Sequence, residues 1–400
     1  MEEYKVKTTC RICNNKELIR VADFGDVPLA NALVKKGFNG VTKYPVSINF
    51  CPICSLTQLG VVVNPKILYK DYRYHSSISE VFKKHCMELG MSIKELMTVK
   101  NPFAVDIASN DGCLLEQFRD IGFEVLGVEP AENLVTISRN KNIETISKFW
   151  SSKIKLPHKA DCITATNVFA HVDDLKDFVS GVALNLVDGG IFVIEVPWFL
   201  NLVNKNQFDT IYHEHLSYFL LKPIIEILHN NKLDVFRAEE VDIHGGSLRV
   251  YATNNKKSHQ KESSVNEIVD IEANCKLYFS HTYTRFSNNV DNAISSLNKM
   301  IGDLSHKKIA GYCASAKGIS LLNYCGVTVK SIKMIADETP AKQGMIIPNA
   351  KIPIVSMEEL KKFNPDYLIL FSWNFIDELK KKTSWFKGRY IIPIPYARVE

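Results

Sequence analysis

Three segments of the sequence hold most of its chemically capable side chains. The first is a pair of cysteine knuckles, Cys10-Arg-Ile-Cys13 and Cys51-Pro-Ile-Cys54, separated by 37 residues. A two-residue gap lets both thiolates of a knuckle face one ion, and two knuckles complete a tetrahedral sulfur set. A redox role would need a strand-to-helix setting, which neither pair has. Four thiolates leave no open coordination position, so the expected metal is a structural zinc on Cys10, Cys13, Cys51 and Cys54. It would supply folding energy to a stretch of about 70 residues that otherwise reads as irregular and short of apolar core.

The second segment, Val105-Asp-Ile-Ala-Ser-Asn-Asp-Gly-Cys-Leu-Leu115, joins a strand pattern to a helix pattern through small and turn-forming residues. Small residues let a ligand approach the backbone, and the start of the helix offers unpaired N–H groups. Some 20 residues on, the strand Val125-Leu-Gly-Val128 ends in Glu129-Pro130, where a carboxylate can accept from both hydroxyls of a ribose. The layout fits either a dinucleotide or S-adenosylmethionine; the Gly-x-Gly-x-x-Gly of dinucleotide folds is absent. The candidate cofactor residues here are Asp106, Ala108, Asn110, Gly112 and Glu129.

The third segment packs a phenol, two imidazoles and a carboxylate into four consecutive positions, Tyr212, His213, Glu214 and His215. Any one of them would ordinarily be a surface residue or a satisfied core group. Four together on a loop at the edge of a nucleotide-type fold form a candidate acid–base cluster. A metal reading is weak, because His-Glu-His without further spaced ligands converges poorly on an ion.

The elements that must position these groups follow from periodicity. Residues 79 to 97 carry apolar side chains at helical spacing, and from residue 104 short buried strands and amphipathic helices alternate to residue 196. Such alternation predicts βαβ units and a mostly parallel sheet, with an Asp188-Gly-Gly190 turn before its last strand. Segments 233–236 and 247–253 fit antiparallel edge strands. After a polar stretch at 254–264, one or two long helices span 267–300, and a second, smaller α/β alternation runs from 309 to 393.

Bulk properties narrow the function classes. Net charge is only +5, with 46% hydrophobic and 23% charged residues, the composition of a globular chain. The one dense lysine run, Lys380–Lys382, reads as a solvated helix end, so a nucleic-acid partner is not expected. No apolar run approaches the roughly 20 residues needed to cross a bilayer, and the start of the sequence lacks a basic-then-apolar signal layout. Six further cysteines, Cys86, Cys113, Cys162, Cys275, Cys313 and Cys325, are scattered. Ten thiols without a secretion signal point to a reducing, cytoplasmic setting.

At this point the residues resemble a known family, the zinc-containing C-methyltransferases that build branched deoxysugars on nucleotide carriers. The matching motifs are the two knuckles, Tyr72-Arg-Tyr74-His-Ser-Ser-Ile-Ser79, Ser109-Asn-Asp-Gly112, Gly127-Val-Glu-Pro130 and Asn167-Val-Phe-Ala-His171. They continue through Phe208-Asp-Thr-Ile-Tyr-His-Glu-His215, His244-Gly-Gly-Ser-Leu-Arg249, Ala316-Lys-Gly318, Lys342-Gln-Gly344 and Trp373-Asn-Phe375. The resemblance implies an α/β protein of three units: a zinc-binding domain (1–70), a Rossmann-like class I methyltransferase domain (71–254) and a Rossmann-like C-terminal domain (255–400) that helps hold a sugar nucleotide.

The reaction implied is methyl transfer from S-adenosylmethionine to the carbon beside a ketone, typically C3 of a 4-keto-6-deoxysugar. His215 is expected as general base, oriented by Glu214, with Tyr212 and His171 as hydrogen-bond donors to the developing oxyanion. His213 is expected to be structural. Asn167 joins the cofactor residues, while Tyr74, His244, Lys317 and Asn374 are expected toward the sugar nucleotide. Two departures stand out: Ala108 replaces a customary glycine, and Cys313 and Ser315 replace smaller residues of the C-terminal loop. O- or N-methylation, epimerisation, and a non-catalytic scaffold are the competing readings.

Overall fold

Strands Phe103–Ile107, Glu124–Val128, Thr145–Ile146, Ala160–Thr166 and Leu186–Pro197 pair in parallel and form the centre of the molecule. Every residue of Phe103–Ile107 is buried, because helices cover both faces of a parallel sheet. Helices Cys113–Asp120, Glu132–Asn140 and Leu175–Asn185 make the crossovers. Two antiparallel strands, Ser247–Thr253 and then Asp234–Val241, extend one edge as the sequence predicts. The helix Glu80–Glu95 buries Phe82, Cys86, Leu89 and Ile93 against Leu115 and Phe118. That stripe recurs every three or four residues, and each such side chain contributes about 1.5–3 kcal/mol by leaving water.

The computed structural model describes residues 3–38, 40–68, 76–78, 80–243 and 245–400. Tyr74 and His244 lie outside the described residues. Among the described residues no helix is long and apolar enough to cross a membrane.

The expected Asp188-Gly-Gly190 turn is instead part of the long strand. Ala160 pairs with Leu186 and Cys162 already pairs with Ile191, so the turn residues form a bulge that the ladder absorbs.

The N-terminal region is more regular than its sequence suggested. Ile19–Pro28, Lys43–Phe50 and Thr57–Leu59 form an antiparallel sheet in which Tyr44, Val46, Ile48 and Phe50 alternate inward. At one end of it lie the four knuckle sulfurs, all within 4.8 Å of one another. Cys10 and Cys54 approach to 3.4 Å, and Cys13 and Cys51 to 3.5 Å. A zinc with four sulfurs at 2.3 Å needs sulfur pairs about 3.8 Å apart, so the donor set fits a tetrahedral zinc.

The C-terminal region forms a second parallel sheet, with Ile309–Tyr312 between Tyr367–Leu370 and Ile335–Ala336. Strand Met345–Ile347 closes one edge antiparallel, and Val34–Lys35 from the N-terminal region pairs onto it. The long helical stretch divides into Ser263–Asn274 and Ser280–Asp303. The latter brings Tyr283 against Phe50 of the N-terminal sheet, ring centroids 4.6 Å apart.

The loop after Phe103–Ile107 turns through left-handed residues: Ala108 (φ 56°), Asn110 (φ 53°) and Gly112 (φ 79°). At Gly112 a side chain is also excluded by space, since a Cβ would sit 2.7 Å from Ile143 Cδ1 and 2.8 Å from Ser138 Oγ. Ala108 holds a conformation that costs an L-residue on the order of 1–2 kcal/mol, which is the physical reason glycine is customary there.

Two expectations follow. Ala108→Gly should leave thermal stability unchanged or raise it by up to about 1 kcal/mol, whereas a clear loss in calorimetry would show that the alanine methyl packs usefully. Stripping zinc with a strong chelator should release one metal ion per chain and expose residues 3–68 to protease first. Retention of protease resistance after complete metal loss would contradict the structural role.

Candidate active site

Loops leave the carboxyl ends of the parallel strands on one edge of the central sheet, the place where open α/β sheets bind ligands. The first of these is the 108–112 turn. Its Asn110 N–H donates to Glu129 Oε2 (2.9 Å), while Ala131 N–H donates to Glu129 Oε1 (2.9 Å). Glu129 is thereby fixed at the end of the adjacent strand with one lone pair left on each oxygen. Burial pushes its pKa up, and the two N–H donors oppose that. Asp106 is buried beneath the turn and accepts from Thr164 Oγ1 at 2.6 Å. Burial pushes its carboxyl up to about 7. Ser109 Oγ and Asp111 Oδ1 are buried polar atoms without a partner among the described residues.

A glycine cradle, a carboxylate fixed at the end of the neighbouring strand and orphaned polar atoms together fit the adenosyl and amino-acid parts of S-adenosylmethionine. Asn167, left-handed at φ 57° and bonded through its N–H to Glu195 O (2.8 Å), leaves the neighbouring strand on the same edge. One contact was not foreseen from sequence. The short turn Ser76–Ile78 caps the loop, with Ser76 N–H donating to Asn110 Oδ1 (3.1 Å) and Ser77 N–H to Asp111 Oδ2 (3.1 Å).

The 212–215 segment lies between the 3₁₀ turn Phe208–Thr210 and strand Ser217–Tyr218. His215 Nδ1 sits 2.7 Å from the Thr210 carbonyl, an acceptor only, so Nδ1 carries a proton and in the neutral ring the lone pair is on Nε2. Tyr212 O–H lies 3.2 Å from that Nε2, and the phenol and imidazole centroids are 4.3 Å apart. The ring of His171, at the end of the 3₁₀ turn Phe169–His171, approaches His215 to 5.1 Å. Burial pushes the His171 imidazole down to about 4, so at neutral pH it is an uncharged N–H donor.

The structure corrects one expected role. Glu214 does not orient His215; the Thr210 carbonyl does. Consecutive loop side chains diverge, and the buried Glu214 carboxylate turns instead to Asn31, whose Nδ2 donates at 2.6 Å. Burial pushes Glu214 up to about 7 against that bond. His213 is the packing residue expected of it, buried and donating Nε2–H to the Tyr44 carbonyl at 3.2 Å.

Lys317 stands in the first turn of helix Ala316–Tyr324, whose N-cap Ser315 accepts from Gly318 N. Its ammonium lies 5.3 Å from the Trp373 ring centroid. Burial lowers its pKa and nearby Asp209 opposes that. Asp209 in turn accepts from Trp373 Nε1 at 2.7 Å. Asn374 lines a cleft of about 270 Å³ with Lys205, Gln207, Gly245, Trp373 and Phe375.

Sequence reasoning also missed a buried charge network: Glu195 holds His85 Nε2 at 2.8 Å and Arg249 Nε at 2.9 Å. Burial would raise Glu195, but His85 and Arg249 outweigh it and hold the carboxylate below its ordinary pKa. The available signal was Arg249 within a matched motif; its partners are distant in sequence.

Comparison with known proteins bears on this site. Family models described as a zinc binding domain, a methyltransferase domain and a C-methyltransferase C-terminal domain match residues 10–69, 95–237 and 242–395. The C-methyltransferase NovU of Streptomyces niveus is 32% identical over 403 residues, covering 98% of this chain and 96% of that protein. The ubiquinone biosynthesis O-methyltransferase of Hydrogenovibrio crunogenus is 25% identical over 122 residues, covering 28% of this chain and 48% of its own. Among solved structures, an S-adenosylmethionine-dependent methyltransferase from Clostridium acetobutylicum aligns at TM-score 0.37 and 16% identity, covering 48% of this chain and 95% of the other. The full-length match decides the matter: the chain belongs to the C-methyltransferase family, as an S-adenosylmethionine-dependent methyltransferase with a zinc-binding N-terminal region.

Proposed function

We propose that this enzyme methylates the carbon beside the ketone, C3, of a nucleotide-linked 4-keto-6-deoxysugar in branched-sugar biosynthesis, with His215 as general base. The observation that carries the reading is the chain Thr210 carbonyl, His215 imidazole, Tyr212 phenol, with bonds of 2.7 and 3.2 Å. S-adenosylmethionine, when bound, supplies an electrophilic methyl group; Glu129, Asn110, Gly112, Ala108, Asp106 and Asn167 are the residues that would hold it.

A C–H beside a carbonyl is weakly acidic, so its removal needs a base held in one tautomer and a donor for the oxygen that gains charge. The Thr210 carbonyl fixes Nδ1–H, which directs the Nε2 lone pair outward as the base. In the resting site the Tyr212 hydroxyl occupies that lone pair. When the sugar ketone enters, the phenol transfers its hydrogen bond to the ketone oxygen and releases Nε2 to take the proton. His171, uncharged at neutral pH, can donate a second hydrogen bond to the same oxygen without adding a competing charge.

The carrier is assigned to the C-terminal side of the site. Lys317, at a helix start, suits a phosphate, and Asn374 lines the adjoining cleft. Tyr74 and His244, outside the described residues, would face the sugar nucleotide by family resemblance alone, and the same resemblance implies the domain limits 1–70, 71–254 and 255–400.

His215→Asn should retain S-adenosylmethionine binding by calorimetry and lower methyl transfer by roughly 100-fold or more. Tyr212→Phe should lower kcat by about 10- to 100-fold with a smaller change in KM. Product NMR should place the new methyl on carbon. Full activity in His215→Asn, or a methyl found on oxygen or nitrogen, would overturn the reading.

A further inference from the structure

Asn31 is an exposed residue just past the strand Ile19–Pro28 of the N-terminal region, following the buried Leu29 and Ala30, and 183 positions separate it from Glu214. Its amide nonetheless makes a 2.6 Å hydrogen bond to Glu214 Oε1. Glu214 is only 5% exposed, and the Asn31 amide is the one side-chain donor that acts on it among the described residues. A buried carboxylate without a donor is costly, so its orientation follows its partner.

The residue beside it is held from the same side, since His213 packs edge-on against the Tyr44 ring (5.8 Å) and donates to the Tyr44 carbonyl. The N-terminal region therefore holds two consecutive side chains of the segment that carries His215. Asn31 is itself exposed, so its amide acts on the site through the buried Glu214 carboxylate it holds.

We propose that Asn31 is a positioning residue for methyl transfer: the N-terminal region delivers its amide to one oxygen of Glu214, leaving the other oxygen to accept a hydrogen bond from a hydroxyl of the sugar. This rests on the function proposed above, and extends it by giving the N-terminal region a direct part in the site. Loss of the amide lets Glu214 rotate and favours its protonated form, since a donor to a carboxylate stabilises the charged state. No charged group among the described residues acts on Glu214 from the elements packed against it. The titratable neighbours are Tyr212, His213 and His215 on its own segment and Tyr44 on strand Lys43–Phe50.

The test compares the zinc-loaded full chain with Asn31→Ala and Asn31→Gln. Asn31→Ala should lower kcat roughly tenfold and move the acid limb of kcat/KM to higher pH, while zinc content and S-adenosylmethionine binding stay unchanged. Asn31→Gln restores a donor and should recover part of both effects. Wild-type kcat with an unmoved acid limb in Asn31→Ala would overturn the proposal.

A measurement free of substrate separates the role of Asn31 from the proposed reaction. Isotope-edited infrared difference spectra against Glu214→Gln should show the Glu214 carboxyl titrating at higher pH in Asn31→Ala than in the wild type. If the wild type methylates no keto-sugar nucleotide, the reaction assigned above falls and the infrared shift alone decides; its absence overturns the role of Asn31.

Discussion

Leu216 joins the two halves of the site through its own backbone. Its N–H donates to the Ala170 carbonyl (2.8 Å), on the loop leaving the central sheet, and its carbonyl accepts from Leu59 N–H (2.9 Å), in the N-terminal sheet. The next residues, Ser217 and Tyr218, continue as an edge strand against Thr57 and Gln58. A third hold comes from the C-terminal side, where the Tyr324 hydroxyl donates to the Ile211 carbonyl and Trp373 to Asp209. An irregular loop would normally be mobile. Here its backbone is bonded to three parts of the fold, and the short span between those bonds is where Tyr212, Glu214 and His215 sit.

The same logic gives the zinc-binding region a reason to be part of an enzyme. Arg11, inside the first cysteine knuckle, is buried and reaches both the Leu59 carbonyl (2.9 Å) and Asp173 (3.2 Å), two residues past His171. Burial lowers the Arg11 pKa, with Asp173 acting to restore it. The Arg11 side chain is fully buried, whereas Asp173 is 21% exposed and also pairs with Lys5 at 2.6 Å, so losing Asp173 would strand the Arg11 charge while losing Arg11 would leave Asp173 paired. The metal-binding end is thus coupled by covalent and ionic links to the loop that presents His171. Burial also sets the proton inventory of the site, keeping His171 uncharged at neutral pH and pushing the Glu214 carboxyl up to about 7.

What could be read from the sequence was local. Two thiols two residues apart constrain each other whatever the rest of the chain does, so the metal set was legible from spacing. The cofactor turn and Glu129 were legible because a strand–turn–helix unit is built from neighbours. The N-terminal strands were undervalued although Tyr44, Val46, Ile48 and Phe50 carry the two-residue period of a half-buried strand. Turn-like residues 188–190 were overvalued, because a long parallel ladder can absorb a bulge. The expected orientation of His215 by Glu214 fails because consecutive side chains in a loop diverge. The Asn31 partner of Glu214 and the network of His85, Glu195 and Arg249 are pairings across more than 50 positions in sequence, which no local pattern encodes.

The central claim is that these holds aim His215 Nε2 at the carbon to be methylated. The most direct measurement is a crystal structure of the zinc-loaded enzyme with S-adenosylhomocysteine and a 4-keto-6-deoxysugar nucleotide. The account predicts the carbon beside the ketone lying between the sulfur and His215 Nε2, with Nδ1 still on the Thr210 carbonyl and the Tyr212 hydroxyl moved to the ketone oxygen. An imidazole turned from the sugar, or a sugar seated where His215 cannot reach it, would contradict it.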